Sequence, residues 1–129
     1  MVRVRDSCPW KGWRMKVEDL DVFKLAHYLT LRVYEVTAAY PDNERFGLIS
    51  QMRRASSSIC MNLMEGGHRI SKNEYKHFVS ISKGSCGEVK YQLLLSKDLG
   101  YMKEAIFNEM NEAYERISMM LTKLHSSLK

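Results

Sequence analysis

Two short patterns of the sequence could hold a metal ion. Glu65-Gly-Gly-His68 and Glu74-Tyr-Lys-His77 both read Glu-x-x-His, a pattern that ligates di-iron centres when two copies project into the middle of a four-helix bundle. Such a centre also needs two inward glutamates from other helices, whereas these two copies flank a single predicted turn. The two glycines before His68 also end the preceding helix. We therefore expect exposed turn residues here, with no metal site and no cofactor.

The three cysteines do not form a nucleophilic or redox pattern. Cys8, Cys60 and Cys86 contain no closely spaced pair, and an odd number suits a reducing compartment. Cys60 and Cys86 lie in predicted helices with no histidine at a neighbouring helical position, and the sequence has no glycine-rich elbow or phosphate-binding loop. We expect free thiols, a cytoplasmic location and no catalytic residues, and therefore a protein that is not an enzyme.

A set of arginines and glutamates is predicted to meet between the second and third helices. Folding the chain back on itself at about residue 70 places Arg53 or Arg54 near Glu88, and Glu65 lies one helical turn before Arg69. Two interpretations remain open. The charges form structural ion pairs within the bundle, or the arginines bind an anionic ligand.

Four lysines on the third helix form the clearest candidate surface. Lys76, Lys83, Lys90 and Lys97 recur every seven residues, which places them on one helix face at intervals of about 10 Å. This lysine ridge could follow a phosphate backbone. With two neighbours from the preceding turn, the candidate nucleic-acid-binding residues are Arg69, Lys72, Lys76, Lys83, Lys90 and Lys97. Ordinary solvated lysines are the alternative, and no aromatic residues interleave the ridge to recognise bases.

The formal net charge of +5 is unevenly distributed along the chain. Residues 1–16 hold five basic residues and one acidic residue. Beyond them, residues 45–97 hold nine basic and three acidic residues, whereas residues 17–44 and 98–129 are both net acidic. A basic segment between acidic ones indicates either a phosphate-bearing partner or complementary surfaces between protein chains.

The hydrophobic pattern predicts the elements that would position these residues. Apolar residues recur every three or four positions in four stretches, at residues 17–40, 46–67, 71–99 and 103–128. Short connections between them predict an all-α fold, an antiparallel up-down-up-down four-helix bundle over residues 17–129. The small residues Gly84, Ser85 and Gly87 would let a neighbouring helix approach closely. Residues 1–16 have no periodicity and are predicted to be a disordered basic tail, and no stretch is apolar enough to span a membrane.

Local signals mark the ends of these helices. Asp19 or Asp21 is predicted to cap the first helix through its side chain. Ser71 and Glu74 match a capping box at the start of the third helix, and Gly100 is predicted to end that helix in a left-handed conformation.

Several runs of residues together resemble a bacterial family of four-helix bundle proteins encoded in intervening sequences of 23S rRNA genes. The resemblance covers about residues 18–128 and depends on Glu18-Asp-Leu20, Glu44-Arg-Phe-Gly-Leu48, Ser50-Gln-Met-Arg-Arg-Ala55, Ser58-Ile-Cys-Met-Asn62, Met64-Glu-Gly66 and Lys97-Asp-Leu-Gly-Tyr101, together with Arg69, Glu74, Phe78, Gly84, Ser85 and Glu88. Two positions depart from the family pattern. Cys60 stands where the family usually has proline, and Gly87 where it usually has alanine.

The resemblance implies an assembly rather than a chemistry. The resemblance implies a homopentamer. It also implies nucleic-acid binding, since a distantly similar protein, the accessory protein of diversity-generating retroelements, binds nucleic acid. The polar signature that the resemblance implies, expected to support the fold or the assembly, is Arg53, Arg54, Asn62, Glu65 and Glu88. We expect a homo-oligomer that contacts RNA or DNA through a basic face of helices two and three. The alternative is a protein-interaction scaffold with no role in nucleic-acid binding.

Overall fold

Four α-helices make up most of the structure. The computed structural model describes residues 16–129, and its helices are α1 (Asp21–Thr37), α2 (Ser50–Gly67), α3 (Lys72–Asp98) and α4 (Glu104–Ser127). No strand occurs among these residues, and the predicted all-α four-helix bundle is confirmed. Apart from Lys16, the predicted basic tail lies outside the described residues.

The first helix is shorter than predicted at both ends. A turn of 3-10 helix covers Val17–Asp19, and α1 begins after Leu20, whose side chain cannot cap it. The prediction that Asp19 or Asp21 caps this helix is wrong, because the helix start falls between them. The helix ends at Thr37 rather than at residue 40.

The connection between α1 and α2 contains an unpredicted wide turn. A 3-10 turn at Asp42–Glu44 leads into a π-helical turn at Arg45–Ile49, so α2 begins at Ser50 and not at Phe46. Gly47, with φ −110° and ψ −109°, interrupts the helical path within this turn. As a result, the side chain of Leu48 is buried, whereas that of Phe46 is 91% exposed.

The other helix ends follow the sequence signals closely. The Ser71 hydroxyl accepts a hydrogen bond from the Glu74 amide at 3.1 Å, as a capping box requires, although the Glu74 carboxylate accepts from the Ser71 hydroxyl and not from its amide. Gly100 has φ +81°. The amides of Gly100 and Tyr101 donate to Lys97 and Ser96, which is the Schellman arrangement that closes a helix.

Small polar residues allow α2 and α3 to lie close together. The Ser82 hydroxyl donates to the Ile59 carbonyl at 2.9 Å, and the hydroxyls of Ser58 and Ser85 are 2.5 Å apart. These pairs satisfy polar groups that would otherwise be buried without a partner. The two helices are also close near their connection, where Gly66 lies against Tyr75 and Phe78 of α3.

The apolar core lies between all four helices. Its largest fully buried side chains come mainly from α2, α3 and α4 and include Met52, Ile59, Leu63, Leu93, Met110, Tyr114, Ile117 and Leu121. Helix α2 continues without interruption through Cys60. None of the helices in residues 16–129 is long and apolar enough to cross a lipid bilayer.

The two glycines in the middle of α3 do not serve close packing within the chain. A Cβ atom built on Gly84 or Gly87 would meet no atom within 4 Å. The prediction that these glycines let a neighbouring helix of the same chain approach is therefore wrong. They lie on the exposed side of α3.

Candidate nucleic-acid interface

The lysine ridge lies on one face of α3, along the edge that borders α4. Lys83 donates to the Thr122 hydroxyl at 2.6 Å, and Lys90 forms an ion pair with Glu115. The Lys97 ammonium lies 4.5 Å from the centre of the Phe107 ring. Three of the four ridge lysines thus already contact α4, and the charge of one of them, Lys90, is offset by a carboxylate of α4.

The cations around the α2–α3 connection differ in their availability. Arg69 lies 2.7 Å from the Glu65 carboxylate and 3.6 Å from that of Glu74, and its guanidinium stacks over the Phe78 ring. The predicted pairing of Glu65 with Arg69 is confirmed. Lys72 and Lys76 have no ion-pair or hydrogen-bond partner among the described residues, so their charges are available to an anion.

The predicted pairing of Glu88 with an arginine is wrong for the single chain. Arg53 turns toward α1, where it donates to the Thr37 hydroxyl at 3.0 Å and to the Tyr34 carbonyl at 3.2 Å. Arg54 and Glu88 both border the groove between α2 and α3, but no ion pair joins them within the described residues. Residues at facing positions of two helices do not meet when their side chains leave the helices in different directions.

An open polar groove runs between α2 and α3. It has a volume of about 380 Å³ and is bordered by the side chains of Arg54, Ser58, Asn62, Ser85, Glu88 and Gln92. Asn62 donates to the Ser58 carbonyl at 2.8 Å. The Oε1 atom of Gln92 is buried and has no hydrogen-bond partner among the described residues. The groove thus contains three members of the predicted polar signature: Arg54, Asn62 and Glu88.

A second cleft, between the wide turn and α2, combines arginines with aromatic rings. Its volume is about 460 Å³, and its lining includes Tyr34, Arg45, Phe46, Arg53, Arg54 and Ser57. No carboxylate lines it. The Arg53 guanidinium lies 4.6 Å from the centre of the Tyr34 ring. We call these residues the arginine–aromatic cleft.

Glu44, which precedes Arg45 in the chain, forms its hydrogen bonds with residues other than the cleft arginines. Glu44 accepts a hydrogen bond from the Leu48 amide at 3.3 Å through Oε1, and from the Tyr101 hydroxyl at 3.0 Å through Oε2. Both of its carboxylate oxygens thus have partners outside the arginine–aromatic cleft. Neither oxygen forms an ion pair with an arginine of the cleft.

The described cysteines are one half-buried and one buried thiol, and neither has a reactive environment. Cys60 and Cys86 are free, and burial raises the pKa of each thiol to about 11. Cys86 donates to the Tyr114 carbonyl at 3.2 Å. A nucleophilic cysteine needs a lowered pKa, so the environment of these two thiols favours structural roles.

The residues of the two Glu-x-x-His patterns take part in local contacts. Glu65 and Glu74 both pair with Arg69, and the His77 ring meets the edge of Phe78. The His68 ring nitrogen Nδ1 lies 2.8 Å from the Met64 carbonyl. Within residues 16–129, no three His, Cys, Asp or Glu side chains form a group that could hold a metal ion.

Comparison with known proteins identifies the family. The model of the 23S rRNA-intervening sequence protein family matches residues 18–123, which is most of the chain and includes both clefts. The chain belongs to this family. A solved structure of a protein of unknown function from the S23 ribosomal protein family of Bacteroides thetaiotaomicron is 18% identical, with a TM-score of 0.76 over 87% of this chain and 99% of that one. No protein of curated function matches.

The match to the 23S rRNA-intervening sequence proteins confirms the resemblance seen in the sequence, and it indicates no enzymatic family. The structural neighbour shows the same fold and has no known function. The Glu44-Arg-Phe-Gly-Leu48 run that contributed to the resemblance forms the wide turn beside the arginine–aromatic cleft. Evidence on what the protein binds must therefore come from its own surfaces.

Sequence reasoning missed the arginine–aromatic cleft. Arg45 and Phe46 are adjacent, and Arg53 and Arg54 follow two helical turns later, so the charge signal was present. The missing information was that Phe46 lies outside the core. A regular helix through Phe46 would have joined it to the apolar stripe, and the interruption at Gly47 prevents this.

Proposed function

We propose that this protein is a non-enzymatic homo-oligomer of the cytoplasm that binds RNA or DNA through basic surface on α2, α3 and the turn before α2. The supporting observation is that four cations of the basic segment, Arg45, Arg54, Lys72 and Lys76, have no ion-pair partner among the described residues. Cations that bind phosphates release counterions from the nucleic-acid backbone, and unpaired cations do so without breaking an ion pair of the protein. The lysine ridge adds positive charge along the edge of α3 that borders α4.

Salt dependence tests this proposal. Titrating labelled single-stranded RNA and duplex DNA with the protein should give binding at about 50 mM salt that weakens by about 50- to 150-fold at 200 mM, as four phosphate contacts require. Fluorescence anisotropy measures both affinities. A variant with Lys72→Gln and Lys76→Gln should show a shallower salt dependence. Absence of binding to either nucleic acid at low salt would refute nucleic-acid binding.

One surface of α3 supports the homo-oligomeric part of the proposal. The exposed side of α3 carries Ile81 and Leu94, which are 38% and 41% exposed, together with the open faces of Gly84 and Gly87. A helix of a second copy could lie close to such a surface, because no side chain projects from either glycine. The family resemblance implies five copies. The same surface favours the alternative function, a protein-interaction scaffold.

Larger side chains at the two glycines should disrupt this assembly. We expect wild-type protein to have a mass that is a multiple of 15.1 kDa, and a variant with Gly84→Gln and Gly87→Gln to approach the mass of one chain. Glu112→Gln, on the exposed side of α4, is the control and should leave the assembly intact. Light scattering at high salt provides the measurement. A monomeric wild-type protein would contradict the homo-oligomer.

A further inference from the structure

Phe46 is the most exposed large apolar side chain of the described residues, at 91%. Its neighbour Leu48 is buried, because the chain changes direction at Gly47 between them. An aromatic ring presents two flat faces to a partner and loses few rotamers when it binds. The position of Phe46 at the edge of a cleft, rather than on a flat surface, leaves room for a planar group against the ring.

The cations around this ring are arranged to receive an anion. Arg53 is held by Thr37 and by the Tyr34 carbonyl, and its guanidinium lies over the Tyr34 ring. Arg45 and Arg54 have no partner among the described residues. The cleft therefore has a fixed cation on its floor and two exposed cations that are free to move toward a ligand.

The combination of charge and aromatic surface selects the ligand class. A cleft with three arginines and no lining carboxylate complements a polyanion. Exposed aromatic and guanidinium faces stack on nucleobases, and in a duplex those base faces are already covered by neighbouring bases. An acidic peptide would satisfy the arginines but would leave the exposed faces of the Phe46 ring without a planar partner.

We propose that the arginine–aromatic cleft binds single-stranded nucleic acid, with one base stacked on Phe46 and the adjacent phosphates on Arg45 and Arg54. This inference depends on the proposed function and gives it a site and a preferred strandedness. It assigns to the lysine ridge a secondary role, because Lys83, Lys90 and Lys97 are engaged with α4.

The test compares one single-stranded oligonucleotide of about 15 nucleotides with the duplex of the same sequence, using the full-length protein. Phe46→Ala should weaken single-strand binding by about 5- to 100-fold and change duplex binding by less than about twofold. A variant with Arg45→Gln and Arg54→Gln should lose more single-strand affinity than one with Lys72→Gln and Lys76→Gln. The second variant removes the same amount of charge from the start of α3.

Phe46→Trp supplies a direct readout of stacking. This variant should bind as tightly as wild type, and its additional tryptophan emission should be quenched by the single strand. If wild type binds nucleic acid while Phe46→Ala binds equally well, the cleft proposal is overturned and the proposed function stands. A second result would also overturn the cleft proposal: Phe46→Ala dissociates the assembly, and nucleic acid leaves the emission of Phe46→Trp unchanged. Phe46 would then be a contact between copies. If wild type binds neither strand form, the proposed function fails as well.

Discussion

Replacing Gly66 with alanine is expected to lower the free energy of unfolding by about 1 to 3 kcal/mol. The added Cβ would lie 2.8 Å from Phe78 Cβ, and 3.1 and 3.2 Å from Cδ1 and the carbonyl oxygen of Tyr75. These atoms belong to the first turns of α3, so relief requires α2 and α3 to separate near their connection. Overpacking of this kind exceeds the small gain that alanine brings to a helix.

Gly84→Ala is the matched control, because its Cβ would meet no atom of the chain within 4 Å. At a protein concentration low enough to give single chains, the helix propensity acts alone there and should stabilise the chain by about 0.5 to 1 kcal/mol. Urea denaturation of both variants at one low protein concentration gives the comparison, since the stability of an assembling chain depends on concentration. Equal stabilisation of the two variants would show that α2 and α3 are not in close contact at Gly66.

Raising the pH from about 8 to 11 is expected to destabilise the protein through its buried thiols. Burial raises the pKa of Cys86 from an ordinary 9.0 to about 11. The unfolded chain therefore releases this proton at a lower pH than the folded chain does. The contribution to stability is complete below about pH 9 and is lost as the pH rises toward 11, a loss of about 2 to 3 kcal/mol for this thiol.

A double variant with Cys60→Ala and Cys86→Ala separates the thiols from other groups that titrate at high pH. Burial raises the pKa of Cys60 to about 11 as well, so both thiols act in the same direction. Urea denaturation at several pH values under reducing conditions should show a steep loss of stability above about pH 9 in wild type and a shallower one in the variant. Parallel profiles would exclude the thiols as the cause.

Most of the fold could be predicted from the sequence because its signals are local. The apolar periodicity places the four helices, and Ser71 and Gly100 mark their ends through hydrogen bonds to nearby backbone. The errors occurred where distant packing decides the outcome. Asp19 and Asp21 are good capping residues by type, yet the helix starts at a point between them. Nothing local distinguishes the two outcomes.

The candidate site was less predictable, because periodicity gives the face of a helix and not its neighbour. The seven-residue spacing correctly groups Lys83, Lys90 and Lys97, but only the packing of the bundle reveals that α4 lies beside them. Conversely, Phe46 looked like a core residue by type. Its exposure depends on the non-helical backbone at Gly47, which separates it from the buried Leu48.

The contacts between the lysine ridge and α4 place two binding events in competition. A phosphate at Lys90 would compete with Glu115 for the ammonium group, and one at Lys83 would compete with Thr122. By thermodynamic reciprocity, tighter docking of α4 weakens such a ligand by the same factor by which the ligand loosens α4. Arg45 and Arg54 face no such rival among the described residues. Side chains of α4 thus compete with anions for the lysine ridge, whereas no side chain of the described residues competes for these two arginines of the arginine–aromatic cleft.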